Sequence, residues 1–197
     1  MAERRSRLEF GTGFDVATLT PGARRILDVA SRLFYEQGIH AVGVDTIAAE
    51  SKVTKPILYK NFGNKDGLVV AYLRHRHDTW WETLEAAIAA AAAPRALAFF
   101  DVYAEDTRTI KRGCAYLNAA AELREGHPAY PVIRHHKHAV CRRLAELITE
   151  DLPHVAKPKL LADHLFLLLE GAFAHHQIYG ADLLIEARET AESLLRC

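Results

Sequence analysis

Three things are scarce in this 197-residue chain: long apolar runs, paired cysteines and alternating strand patterns. No stretch approaches the roughly 18 uninterrupted apolar residues of a membrane helix. Arg4, Arg5 and Arg7 stand near the start without the apolar run of a signal peptide behind them. The expectation is a soluble, cytoplasmic protein with no membrane partner. Cys114, Cys141 and Cys197 lie far apart with no C-x-x-C spacing, so neither a disulfide framework nor a zinc cluster is indicated, and no cofactor or metal is expected. Val, Ile and Thr seldom alternate with polar residues while Ala, Leu, Glu and Arg dominate, which predicts an all-α fold. Net charge is lacking too: 25 Lys+Arg balance 25 Asp+Glu, which by itself argues against a nucleic-acid partner. The balance is uneven along the chain, however. Residues 1–77 hold 12 basic against 8 acidic residues, and the remainder 13 against 17, so positive potential belongs to the first part.

Within that basic part, Val44 to Phe62 reads as two short helices with a tight break between them. Val44, Ile47 and Ala48 recur at helical spacing and can face inward while Asp45, Glu50 and Lys52 face water. The break follows at Ser51-Lys52-Val53. Thr54 stands where the second helix needs an N-cap. Pro56 at the second helical position has no N–H, so the Thr54 hydroxyl is expected to cap Ile57. Leu58 and Phe62 share one face, leaving Lys55, Tyr59, Lys60 and Asn61 largely on the other. Two cations, a phenol and an amide on the second helix of such a pair suit the DNA major groove, where cations and hydroxyls bind phosphates and amides reach base edges. Before this motif, Thr20 and Pro21 start a bracing helix with Ile26, Ala30, Leu33 and Phe34 as its buried stripe, stopped by Gly38. After it, Gly63 ends the recognition helix and Asn64 caps a long helix from Lys65 to about Ala91.

Arg24 to Tyr72, with the string IAAESKVTKPILYKNFGNKDGL, resembles the DNA-binding domain of the tetracycline-repressor (TetR) family of bacterial transcriptional regulators. The specificity lies in the ordered combination of a Gly38-terminated helix, I-A-A-E, V-T-K, L-Y-x-x-F and N-K-D-x-L. The remainder of the chain is similar only in length and helical pattern. The resemblance implies a DNA-binding set of Thr54, Lys55, Pro56, Tyr59, Lys60, Asn61 and Lys65, with Lys65 on the DNA backbone at a helix start. It also implies a helix-turn-helix domain over 21–66 and a helical ligand-binding and dimerisation domain over 67–197. Residues 1–20 mix charge, Gly and Thr without periodicity and are expected to form a flexible tail. Two positions depart from the family pattern. Lys52 replaces the usual turn glycine, which requires a non-glycine residue at positive φ, and Gly67 replaces an acidic residue, removing a capping-box partner for Asn64.

Beyond the motif the expectations are looser. Helices are predicted from Pro94 to about Thr109, from Cys114 to Glu125, onward to about Leu152, from Lys159 to Tyr179 and from Asp182 to Leu195. Phe99, Tyr103, Asn118 and Phe173 are candidates to line an effector pocket; Asn118 among apolar neighbours is either satisfied by backbone or turned toward a polar ligand. The helix Lys159 to Tyr179 is apolar nearly all round, so a second subunit is expected to cover one side. Leu168, Gly171, Ala172, His175, Leu184 and Ala191 are the candidate dimer contacts, forming a four-helix bundle about a two-fold axis. His75, His77 and Trp80-Trp81 are read as packing or interdomain contact, and His135 to His138 as solvated or dimer-proximal, since neither set has ligands in register for a metal. The function these observations imply is a dimeric, ligand-responsive repressor on a palindromic DNA operator. The alternatives are a helical metal-binding enzyme, argued from eleven histidines and scattered carboxylates, and a regulator governed by a protein partner.

Overall fold

A computed structural model describes residues 18–109, 112–180 and 182–196; the basic triplet Arg4, Arg5 and Arg7, most of the expected tail and Cys197 lie outside them. Among the described residues there is no strand. The helices are α1 (Pro21–Gln37), α2 (Val44–Ser51), α3 (Lys55–Phe62), α4 (Lys65–Ala90), α5 (Ala98–Thr109), α6 (Ala115–Glu122), α7 (Tyr130–Asp151), α8 (Pro158–Tyr179) and α9 (Asp182–Leu195). One 3-10 turn, Arg95–Leu97, stands where the sequence suggested that α5 already begins. Among the described residues no helix is long and apolar enough to cross a membrane.

The chain divides into two compact units, the first running to Arg76 and taking in Ala119–Ile133, the second made of His77–Asn118 and Arg134–Cys197. In the first unit α1 packs against both α2 and α3. Ile26, Leu27, Ala30 and Leu33 of α1 are fully buried, as are Ile47 of α2, Leu58 of α3 and Leu68, Val69 and Leu73 of α4. A buried leucine or isoleucine is worth about 1.5–3 kcal/mol relative to exposure. The apolar stripes, rather than propensity, therefore hold the eight-residue helices α2 and α3, since isolated helices that short are not stable in water. Thr20 caps α1 as its spacing predicted, accepting the Ala23 N–H at 3.3 Å, and Gly38 ends it at φ 98°.

The first unit reaches past residue 66 for a chemical reason. Glu122, at the end of α6, accepts the His40 N–H at 2.9 Å, and its carbonyl accepts from the His40 ring. His127, buried in the α6–α7 connection, accepts the Ala129 N–H on Nδ1 at 3.1 Å and lies 3.2 Å through Nε2 from Asp66. In the second unit α9 lies along α8 and against α5. Leu165, Leu169 and Ala172 are buried on α8, and Leu184, Ala187 and Ala191 on α9.

Candidate nucleic-acid interface

The α2–α3 turn is made without glycine. Lys52 sits at φ 54°, ψ 36°, in the left-handed region, and its N–H bonds back to Ala48 and Ala49. A side chain there costs roughly 1–2 kcal/mol. Val53, next along, is buried and anchors the turn. Thr54 takes the cap position of α3 with extended backbone, but its hydroxyl makes no capping bond. The Ile57 N–H goes instead to the Thr54 carbonyl at 3.0 Å, correcting the expected side-chain cap. A backbone turn already satisfies that donor, so the exposed hydroxyl is not committed to the helix.

From this start α3 turns two side chains inward, Leu58 and Phe62, and leaves Lys55, Pro56, Ile57, Tyr59 and Lys60 exposed. Tyr59 is 46% exposed although it is aromatic. The Lys55 ammonium pairs with the Asp45 carboxylate of α2, which holds it above its ordinary range. Asn61 is half-buried, and its amide donates to the carbonyl of Ile57, one turn back in the same helix, at 2.7 Å. Of the seven residues named for this surface, Asn61 is therefore the one whose polar group is already engaged within the helix itself.

Gly63, at φ 74°, ends α3, and α4 begins two residues later. Asn64 accepts the Gly67 N–H at 2.8 Å, so the cap exists without an acidic partner. Gly67 has its own reason: a Cβ there would stand 2.0 Å from the Phe62 carbonyl oxygen, a backbone contact that cannot yield cheaply. The missing acidic residue is a consequence of how closely α4 approaches the end of α3. Lys65, first residue of α4, is half-buried, and desolvation pulls its ammonium down while Asp66 and Glu122 oppose the shift.

The second unit holds the residues proposed for an effector. Phe99, Tyr103 and Phe173 are buried, the latter two rings meeting edge-on at 4.8 Å. The Tyr103 hydroxyl donates to Glu170 at 3.1 Å, and the other Glu170 oxygen accepts from Lys137 at 2.5 Å. Asn118 is half-buried and donates to the Arg112 carbonyl at 2.7 Å, the backbone-satisfied alternative. The histidine run differs from expectation. His136 is buried rather than solvated, stacked on Tyr116 at 3.8 Å and paired through Nδ1 with His77 at 3.0 Å. Its spacing from α6 carried no sequence signal, because Tyr116 and His136 meet only through tertiary packing. Among the described residues no three His, Cys, Asp or Glu side chains converge as metal ligands would.

On α8 and α9 the expected dimer contacts divide. Gly171 and His175 are exposed and Leu168 is half-buried, but Ala172, Leu184 and Ala191 are buried within the chain's own packing. Leu184 and Ala191 are corrected: both are fully covered where α9 lies along α8. Ala172, also buried, still borders the open depression between the two helices. The apolar residues left outside are Leu160, Leu167 and Ile178 on α8, with Tyr179 beside them, and Ile185 and Leu194 on α9. Leu167, Gly171 and His175 of α8 and Leu183, Glu186 and Thr190 of α9 line an open depression of about 490 Å³.

The sequence profile described as "Bacterial regulatory proteins, tetR family" matches residues 26–72. A crystal structure of a TetR-family transcriptional regulator from Streptomyces coelicolor superposes with a TM-score of 0.81 at 31% identity, covering 89% of this chain and 95% of that one. The HTH-type transcriptional activator FasR of Mycolicibacterium smegmatis is 41% identical over 54 residues, 27% of this chain and 25% of that protein. An HTH-type transcriptional repressor of Mycobacterium tuberculosis is 45% identical over 53 residues, 27% of this chain and 28% of that protein. The match thus spans about a quarter of the length of these curated relatives, and one is an activator, the other a repressor.

Proposed function

The chain belongs to the TetR family of bacterial transcriptional regulators, and on that premise we propose a dimeric, cytoplasmic repressor that works by binding double-stranded DNA and not by catalysis. The observation that carries the proposal is α3 itself: a short helix held by Leu58 and Phe62 that leaves two lysines and a tyrosine exposed. Lys60 and Lys55 supply phosphate or base contacts, Tyr59 a phosphate hydrogen bond, and Thr54 and Lys65 anchor at two helix starts. Pro56 lies against the groove edge, while Asn61 supports the helix from within. Two copies pair through the exposed stripe of α8, on which Leu160, Leu167, Gly171 and Ile178 recur at helical spacing, so that two α3 helices enter major grooves about 34 Å apart on a palindromic operator.

Regulation rests on a small-molecule effector taken up near Tyr103 and Phe173 in the second unit. In this reading the effector acts by moving the long helix α4, which follows the DNA-binding helices in the chain. The effector moves the equilibrium only by its differential affinity for the two arrangements. Selection of binding sequences from a pool of randomised duplexes tests the proposal. The enriched sequence should be an inverted repeat with half-site centres one or more turns of about 10 base pairs apart. A pool with no enriched duplex would refute DNA recognition.

A further inference from the structure

The proposed contacts leave out one outward residue of the recognition helix, Ile57. At about 100° of rotation per residue, the buried pair Leu58 and Phe62 defines the inner side of α3, and the direction opposite falls among Pro56, Ile57 and Lys60. Ile57 and Lys60 are three apart, Pro56 and Lys60 four apart, so the three are surface neighbours. Ile57 is 39% exposed. Its Cγ2 faces the first turn of α1, 3.9 Å from where a Cβ on Gly22 would stand, so one side of the side chain lies against α1 while the residue stays accessible to solvent. A single exposed isoleucine is ordinary on a protein surface. Its place is what matters: the centre of the face proposed to enter the groove is apolar on one side and cationic on the other. Base edges in the major groove offer hydrogen-bond donors and acceptors with one apolar exception, the C5-methyl group of thymine.

We propose that Ile57 is a specificity-determining residue that reads a thymine methyl in each half-site of the operator. The inference rests on the DNA-binding role proposed above and adds to it the chemistry of one base position. Where Lys60, one turn on, meets a phosphate, it fixes the helix by charge and carries no sequence information. Ile57 supplies discrimination because a cytosine at the same place presents an N4 amino donor and no methyl to the isoleucine.

Removing the methyl alone tests the idea. The operator is the duplex that the wild-type protein enriches from an unmodified synthetic pool, in which thymine is the sole source of C5-methyl groups. Each thymine is then replaced in turn by deoxyuridine. One buried methyl corresponds to about a fourfold loss, so one thymine per half-site should show that loss when replaced, and about 15-fold when both half-sites are changed together. Ile57→Ala should bind the thymine operator about as weakly as the wild type binds the deoxyuridine one, and should no longer distinguish the two. Ile57→Thr, which keeps the β-branch, provides a second variant, and circular dichroism confirms that each is folded. The inference is overturned if no thymine matters to the wild type by more than twofold, or if full sensitivity persists in both variants. In either case enrichment of an operator would leave DNA binding intact; a pool without enrichment would remove both.

Discussion

Lys52 shows how a single residue can hold a turn at some cost. Its backbone occupies left-handed space that glycine takes freely, and its side chain is exposed, so no packing compensates. Lys52→Gly should therefore raise unfolding free energy by about 1 kcal/mol, seen as a higher urea midpoint with unchanged slope. A lower midpoint would mean that the lysine side chain contributes where the structure shows only solvent. His77 makes an opposite kind of prediction. Burial, with the neighbouring His135 adding to it, pulls its pKa down to about 4. Between that value and the roughly 6.5 of an unfolded histidine, the unfolded chain binds more protons than the folded one. Stability is then complete above pH 6.5 and falls as the pH drops toward 4, by at most about 1.4 kcal/mol per unit. Urea midpoints at pH 7.5 and 5.0 should differ accordingly, and His77→Leu should flatten that difference. Equal dependence in wild type and variant would locate the acid lability elsewhere.

At the scale of elements, helices with a stop signal and a single buried stripe were legible in the sequence. The stripe and caps of α1 follow directly from Thr20, Pro21, Gly38 and the 3.6-residue spacing of Ile26, Ala30 and Leu33. The inward pair of α3 was likewise evident from spacing four. What the sequence concealed depends on which element packs on which. Leu184 and Ala191 of α9 looked like interface residues because α9 is amphipathic beside an α8 that is apolar on overlapping faces, and nothing in the pattern says which apolar face the chain itself covers. His136 reads as a surface residue inside a His-His-Lys-His run, and only tertiary packing puts it under Tyr116. Gly67 looked like a lost cap; the approach of the Phe62 carbonyl makes it a requirement of the α3–α4 corner. Ile57 carried no signal, since an apolar residue beside an apolar stripe is ordinarily assigned to the core.

For the whole molecule, the proposed mechanism needs two copies. Leu167 is 67% exposed in the middle of the α8 stripe, so Leu167→Glu should not disturb the chain's own fold. Sedimentation should show the wild type as a dimer and the variant as a monomer, and operator affinity should fall by at least about 100-fold as two linked contacts become one. A variant that stays dimeric and binds normally would place the subunit contact on another face. The excess of basic over acidic residues in positions 1–77 is the sign of charge that DNA phosphates attract.

The central claim is that α3 meets DNA with its exposed side chains. The most direct test is the salt dependence of affinity for the enriched operator, compared among the wild type, Lys60→Ala and Tyr59→Ala. The account predicts weaker binding by both variants, and for Lys60→Ala a log–log slope shallower by about one per half-site, because each phosphate contact releases about 0.9 counterion. Wild-type affinity and slope in both variants would contradict it.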